Sequence, residues 1–167
     1  MIAVVAARLE DADELAVLIN EVIAKGGTTA HQVAFTAERF ARSFLDGPGF
    51  ISCFKAVDEA GAALGFQTLG HDRSIPADWG DIGTFARVGG VQKGVGTALF
   101  QATLNHARAR GIPVIHAMIR ADNAGGLAYY AKMGFVDYAI QRGVPLKDGT
   151  PVDRICKKFE LVSINPL

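Results

Sequence analysis

The sequence has no excess of charge of either sign. Its 17 basic residues are matched by 17 acidic ones, for a formal net charge of zero at pH 7. That balance selects neither a nucleic acid nor an anionic membrane as partner. Long apolar runs are also missing, and none approaches the roughly 18 residues of a spanning helix. The N-terminal "MIAVVAARLEDADE" has too short an apolar part, and is too acidic after it, for a secretory signal. Only two cysteines occur, Cys53 and Cys156, and they lack metal-ligand spacing. They read as buried thiols in a reducing cytoplasm, with no metal site implied. Repeats, low-complexity tracts and linkers are absent as well. The 167 residues therefore read as one soluble domain, residues 1–167, long enough to bury a core.

What is present is a regular alternation of elements. "IAVVAAR" (Ile2 to Arg8) predicts a strand. Asp11, with Glu14 three residues on, predicts a capping box for a helix whose apolar positions Leu15, Leu18, Ile19, Val22 and Ile23 follow a 3.6 period. "KGGTTAH" ends it, and a short helix from Thr36 stops at "DGPG". "FISCFKAV" and "ALGFQTLG" flank the turn "DEAG" as a hairpin, and "WGDIGTFARV" adds a third strand. A helix from about Val95 to Arg110 follows, with Val95, Ala98, Leu99 and Ala102 as its buried stripe and Gly111 beyond its C-cap. "PVIHAMI" is a strand and "NAGGLAYYAKM" a short helix capped by Asp122 or Asn123. "FVDYAIQR" and "PVDRICKKFEL" are strands joined across "GVPLKDGT". This order predicts a mixed α/β (α+β) fold with a largely antiparallel sheet.

The glycines concentrate in one place. "VGGVQKGVGTALF" (Val88 to Phe100) carries Gly89, Gly90, Gly94 and Gly96 just ahead of a helix. A strand, a glycine-rich turn and a helix N-terminus together make an anion site, because the first amides of the helix lack acceptors and the dipole adds positive potential. The Walker A pattern fails, since Gly94 and not Ser or Thr follows Lys93. The dinucleotide fingerprint fails too, since Leu99 stands at its third glycine.

A second stretch, "IRADNAGGLAYYAKMGF" (Ile119 to Phe135), sets Asn123 at a helix start and Tyr130 four residues before Gly134-Phe135. Together the two stretches resemble the GNAT acyltransferase superfamily. Its coenzyme A loop reads roughly Arg/Gln-x-x-Gly-x-Gly/Ala, and its later segment reads Asn, short helix, Tyr, then Gly-Phe. Within it, "GGTTAH", "GFQ" and "IGTF" look like the phosphinothricin-acetyltransferase-like branch, which acylates the amino group of small amino acids or their analogues. The first loop position departs from the family pattern: it is Val91, with Gln92 adjacent. The proline usual before the loop is missing, with Val88 near that place.

The resemblance implies a GNAT fold: a mixed, mostly antiparallel seven-stranded sheet flanked by four helices, with the fourth and fifth strands splayed apart. It implies acetyl-coenzyme A as donor. The diphosphate would lie on the amides of Gln92, Lys93, Gly94, Val95, Gly96 and Thr97, with charge from Lys93 and Arg87. The pantetheine arm would pair with Phe85, Ala86 and Arg87 as an added strand. An amide near Ala86 would stabilise the oxyanion, and Asn123 would bond the pantetheine, cap the helix or do both. Tyr130 stands at the general-acid position, and Tyr129 faces another side as packing. A base must deprotonate the amine. Relatives often place a Glu on the fourth strand. Here Asp81 takes that place, with Asp78, His31 and His71 as alternatives. Thr28, Thr29 and His31 would line the acceptor side, and Trp79 and Phe35 serve the core. The implied function is acetyl transfer to the primary amine of a small molecule by direct attack. Methionine sulfoximine or phosphinothricin is the acceptor by analogy, and another amino acid or a polyamine stays open. A non-catalytic acyl-coenzyme A module on the same fold is the other reading. Dimerisation is common in the branch, and the terminal strands offer an interface.

Overall fold

The computed structural model describes residues 2–90 and 92–161. Val91, the first position of the coenzyme motif, lies outside the described residues. Among these residues seven strands form one sheet, in the order β1-β2-β3-β4-β5-β7-β6. They are β1 (Ala3–Ala6), β2 (Phe50–Val57), β3 (Ala63–Gly70), β4 (Gly80–Ala86), β5 (Val114–Arg120), β6 (Val136–Pro145) and β7 (Pro151–Glu160). Among the described residues four α-helices accompany them: α1 (Ala12–Lys25), α2 (Ala37–Phe44), α3 (Val95–Ala109) and α4 (Ala124–Met133). Every pairing is antiparallel except β4 with β5.

Local chemistry explains most element ends. Thr36 caps α2 by accepting from the Arg39 amide at 3.1 Å, and Asn123 caps α4 by accepting from the Gly126 amide at 2.9 Å. Gly111 takes a φ of 70° just past α3. Asp11 departs from expectation. It precedes α1, but its carboxylate turns back to the Arg8 amide at 2.8 Å and to Lys55 Nζ at 2.7 Å. A half-buried cation on β2 outcompetes the helix amides for it. Strand β6 runs to Pro145, three residues beyond the expected end, because its pairing with β7 continues to Pro145↔Pro151.

Strand alternation sorts side chains to the two faces of the sheet. Phe66 and Phe85 pack with Leu15, Ile19 and Phe40 under α1 and α2. Leu69, Ile82 and Ile115 pack with Phe100, Leu104 and Phe135 under α3 and α4. The α3 stripe is rotated from the expected one. Val95, Leu99, Thr103 and Ala107 are buried, with Phe100 and Leu104 beside them, whereas Ala98 and Ala102 are half-buried. The larger side chains take the sheet-facing positions and leave the small ones at the rim. Cys53 and Cys156 are buried free thiols, and burial pushes the Cys53 thiol up to about 12. Among the described residues no helix is long and apolar enough to cross a membrane.

Candidate active site

The site begins where the sheet opens. Strands β4 and β5 pair only at Gly80↔Ile115 and Asp81↔His116. Beyond Asp81 no partner on β5 faces β4 among the described residues, while β5 continues along β7 to Arg120↔Arg154. One edge of β4, from Ile82 to Ala86, is left without a ladder. The expected splay is therefore present. Alternation puts Asp81, Gly83 and Phe85 on the α1–α2 face, and Ile82 and Thr84 on the α3–α4 face. The gap is where the two faces communicate.

Gly94 stands at the N-cap of α3 with a φ of 93°, a left-handed conformation that glycine adopts freely. The first turn of α3 contains no acidic side chain, so none competes for its amides. The Ala98 amide closes on the Gly94 carbonyl at 3.0 Å, and Val95 reaches the Gln92 carbonyl only at 3.4 Å. The amides of the first turn thus have no intrahelical acceptor, and they face the gap with the positive end of the dipole.

One cavity of about 880 Å³ joins these features. Its walls include Arg87 and the run from Gln92 to Thr97 at one end, Asp81 and Asp72 at the other, and Thr84 and Tyr130 between the faces. The residues expected to act in catalysis, hold the coenzyme or line the acceptor side all line it: Thr28, Thr29, His31, Asp81, Phe85, Ala86, Arg87, Gln92, Lys93, Gly94, Val95, Gly96, Thr97, Asn123 and Tyr130. Among the alternative bases His71 also lines it, whereas Asp78 does not. Trp79 sits outside it, 6.4 Å from the His116 ring and 6.0 Å from Tyr138, and Phe35 is core.

The side chains are held in particular states. Asp81 accepts from or donates to His116 Nδ1 at 2.9 Å. Burial raises the carboxyl pKa of Asp81, against the pull of the His116 hydrogen bond. Tyr130 is 7 % exposed, and its hydroxyl lies 2.8 Å from Thr84 Oγ1. Burial raises its phenol well above the ordinary value, so it is neutral at pH 7 and available as an acid. His31 is caged by Phe35, Phe44 and Phe85, with ring centroids 5.3, 5.9 and 6.1 Å away. Burial, aided by Arg39, lowers its pKa toward the neutral form.

Some groups are engaged within the fold. The Arg87 guanidinium donates twice to the Ala63 carbonyl, at 3.0 and 2.7 Å. Asn123 donates to the Thr28 carbonyl at 2.8 Å while capping α4, and Arg120 reaches the Thr29 carbonyl at 3.2 Å. The Thr29 hydroxyl accepts from the His31 amide at 3.1 Å. The 28–31 loop is thereby pinned to the rim of the cavity. Tyr129 is more than packing. It lines the cavity, and its hydroxyl donates to the Gly96 carbonyl at 2.7 Å. His116 and Gln67 meet the site from neighbouring strands; Gln67 stands in the "GFQ" motif, which gives it no site role, and no motif contains His116. A lone polar residue in the apolar "PVIHAMI" is the only hint of His116.

Residues 27–135 match the acetyltransferase (GNAT) family, and the chain belongs to it. It is 33% identical over 82 residues to the L-methionine sulfoximine/L-methionine sulfone acetyltransferase of Pseudomonas aeruginosa. That match covers 48% of this chain, and the chain spans about half (48%) the length of that relative. Among solved structures, a phosphinothricin acetyltransferase from Sinorhizobium meliloti, in complex with acetyl-coenzyme A, superposes with a TM-score of 0.83. Its identity is 18%, over 96% of this chain and 88% of that one. An N-acetyltransferase from Staphylococcus aureus gives a TM-score of 0.81 at 20% identity, over 96% and 98% of the two chains. These superpositions establish a shared fold.

Proposed function

We propose that the protein is a single-domain N-acetyltransferase that moves an acetyl group from acetyl-coenzyme A to the primary amine of a small amino acid or analogue. The observation that carries this reading is the placement of the splayed β4 edge, the bare N-terminus of α3, Asp81 and Tyr130 around one cavity. Its volume suits a bound small molecule of this class. The activities of the similar proteins support an amino-acid-like acceptor. The two buried free thiols suit a reducing cytoplasm. The exposed Val136, Tyr138 and Ile140 on β6 suit a homodimer.

In this reading the amides from Gln92 to Thr97 hold the diphosphate, helped by Lys93. The free edge of β4 at Phe85, Ala86 and Arg87 receives the pantetheine arm. The 28–31 loop and His31 shape the acceptor side. Asp81 takes a proton from the amine, which then attacks the thioester carbonyl. The amide near Ala86 supports the oxyanion. The carbon–sulfur bond breaks, Tyr130 gives its proton to the departing thiolate, and the new amide nitrogen releases its second proton to solvent. Free-thiol release from acetyl-coenzyme A across a panel of amines tests this. Turnover with amino acids or analogues, slowed ~10- to 10³-fold by Tyr130→Phe, is the expected result. Coenzyme binding without thiol release for any amine would leave a binding module instead.

A further inference from the structure

Behind Tyr130 stands a chain of hydrogen bonds whose direction, up to its last link, is set by the Gly96 carbonyl. Tyr129 Oη lies 2.7 Å from the Gly96 carbonyl, and a carbonyl oxygen only accepts. The Tyr129 proton is therefore committed to Gly96. Gln67 reaches Tyr129 Oη at 3.1 Å, and that oxygen can now only accept from it. The group of Gln67 on this side must be its amide nitrogen. The reverse orientation would set two acceptors against each other. The same nitrogen donates its second proton to Thr84 Oγ1 at 2.9 Å. The Thr84 hydroxyl keeps its own proton, and Tyr130 Oη lies 2.8 Å away.

Burial reinforces the assignment. Gln67 is 0% exposed, and its Oε1 is buried without a hydrogen-bond partner among the described residues. The side chain leaves one good acceptor unused in order to present both of its N–H groups to the two tyrosine branches. Register supports the same point, since Gln67 and Thr84 face each other across β3 and β4.

Building on the transferase reading, we infer that Gln67 and Thr84 are positioning residues that fix the direction of proton donation. Gln67 donates to Thr84, Thr84 donates to Tyr130, and the Tyr130 proton is left to point into the cavity. The other branch, from Gln67 through Tyr129 to the Gly96 carbonyl, ties the same amide to the first turn of α3. When the thiolate leaves, the Tyr130 O–H bond breaks and a sulfur–hydrogen bond forms. The Thr84 hydroxyl supports the charge then left on the phenol oxygen, and solvent returns the proton after product release. If Tyr130 instead donated to Thr84, its proton would be directed away from the reacting sulfur.

A kinetic double-mutant cycle tests this. Thr84→Val should lower kcat ~10- to 100-fold with the KM for acetyl-coenzyme A little changed, and Thr84→Ser should restore it to near wild type. The double variant should be no slower than Tyr130→Phe alone, because both act through one proton. Full multiplication of the two losses, or equal loss in the serine variant, would overturn the inference. Gln67→Met carries the same cycle if the Thr84 variant does not fold. Coenzyme A binding to the wild type, measured by calorimetry, separates the two layers. Binding without thiol release defeats the transferase reading and the relay with it. Thiol release with an additive cycle defeats the relay alone.

Discussion

Asp81 Oδ1 stands 2.9 Å from His116 Nδ1, at the last pair before β4 and β5 part. The carboxylate is thus anchored at the fork, where an amine entering from the α1–α2 face would meet it. Asp72 also acts to raise its pKa, and His31 to lower it, but burial is the largest influence and the net direction is upward. A base must be ionised to work. Activity should therefore rise with pH along an acidic limb displaced above the ordinary carboxylate range. Asp81→Asn should slow turnover ~10²- to 10⁴-fold and remove that limb. His116→Leu removes a hydrogen bond that lowers the Asp81 pKa, so its limb should move to still higher pH. A limb unchanged in both variants would exclude Asp81 as the base.

The second prediction concerns Gly96. A Cβ there would sit 2.6 Å from Cε2 of the Tyr129 ring. That ring is anchored by Gln67 and by the Gly96 carbonyl itself. Gly96→Ala must displace it and disturb the first turn of α3. Coenzyme A affinity measured by calorimetry should fall about tenfold, or ~1.4 kcal/mol, with the acceptor KM little changed.

Asn123 joins two parts of the site. Asn123→Ala removes both the cap of α4 and the tie to the Thr28 carbonyl. Denaturant unfolding should show a loss of about 1 kcal/mol. The acceptor KM should rise as well, because the 28–31 loop loses one of its two pins.

The core under α1 and α2 holds the β4 side of the gap. Phe66 is 0% exposed, stacked on Phe85 at 4.9 Å and 23°, and in edge contact with Phe40 at 5.3 Å. Phe66→Ala should cost about 3–5 kcal/mol. For a chain of this size the melting temperature should drop roughly 6–20 °C. A smaller loss would mean that the cluster closes over the cavity left behind.

What the sequence made legible was local or carried by a motif. Thr36 and Asn123 announce helix starts because a short side-chain oxygen finds an amide three residues on. Gly94 announces a left-handed turn because glycine is at ease there. Tyr130 and the α3 loop came with the family pattern. What escaped depends on pairing across the sheet. His116 meets Asp81, and Gln67 meets Thr84, only through strand register, which neither segment encodes alone. Adjacency to Tyr130 on one helix points Tyr129 toward packing, yet the cavity wraps far enough around α4 to be lined by both. Asp11 stands at the N-cap of α1 as expected, but its carboxylate does not cap the helix, because Lys55, distant in sequence, offers a stronger partner than the helix amides.

The reading of the glycine loop is tested most directly by the amide NMR spectrum of isotope-labelled protein titrated with coenzyme A. The largest shifts should fall on the backbone amides from Gln92 to Thr97, with smaller ones along β4 from Phe85 to Arg87. Saturating coenzyme that left the Gln92–Thr97 amides unmoved while perturbing another surface would contradict the account.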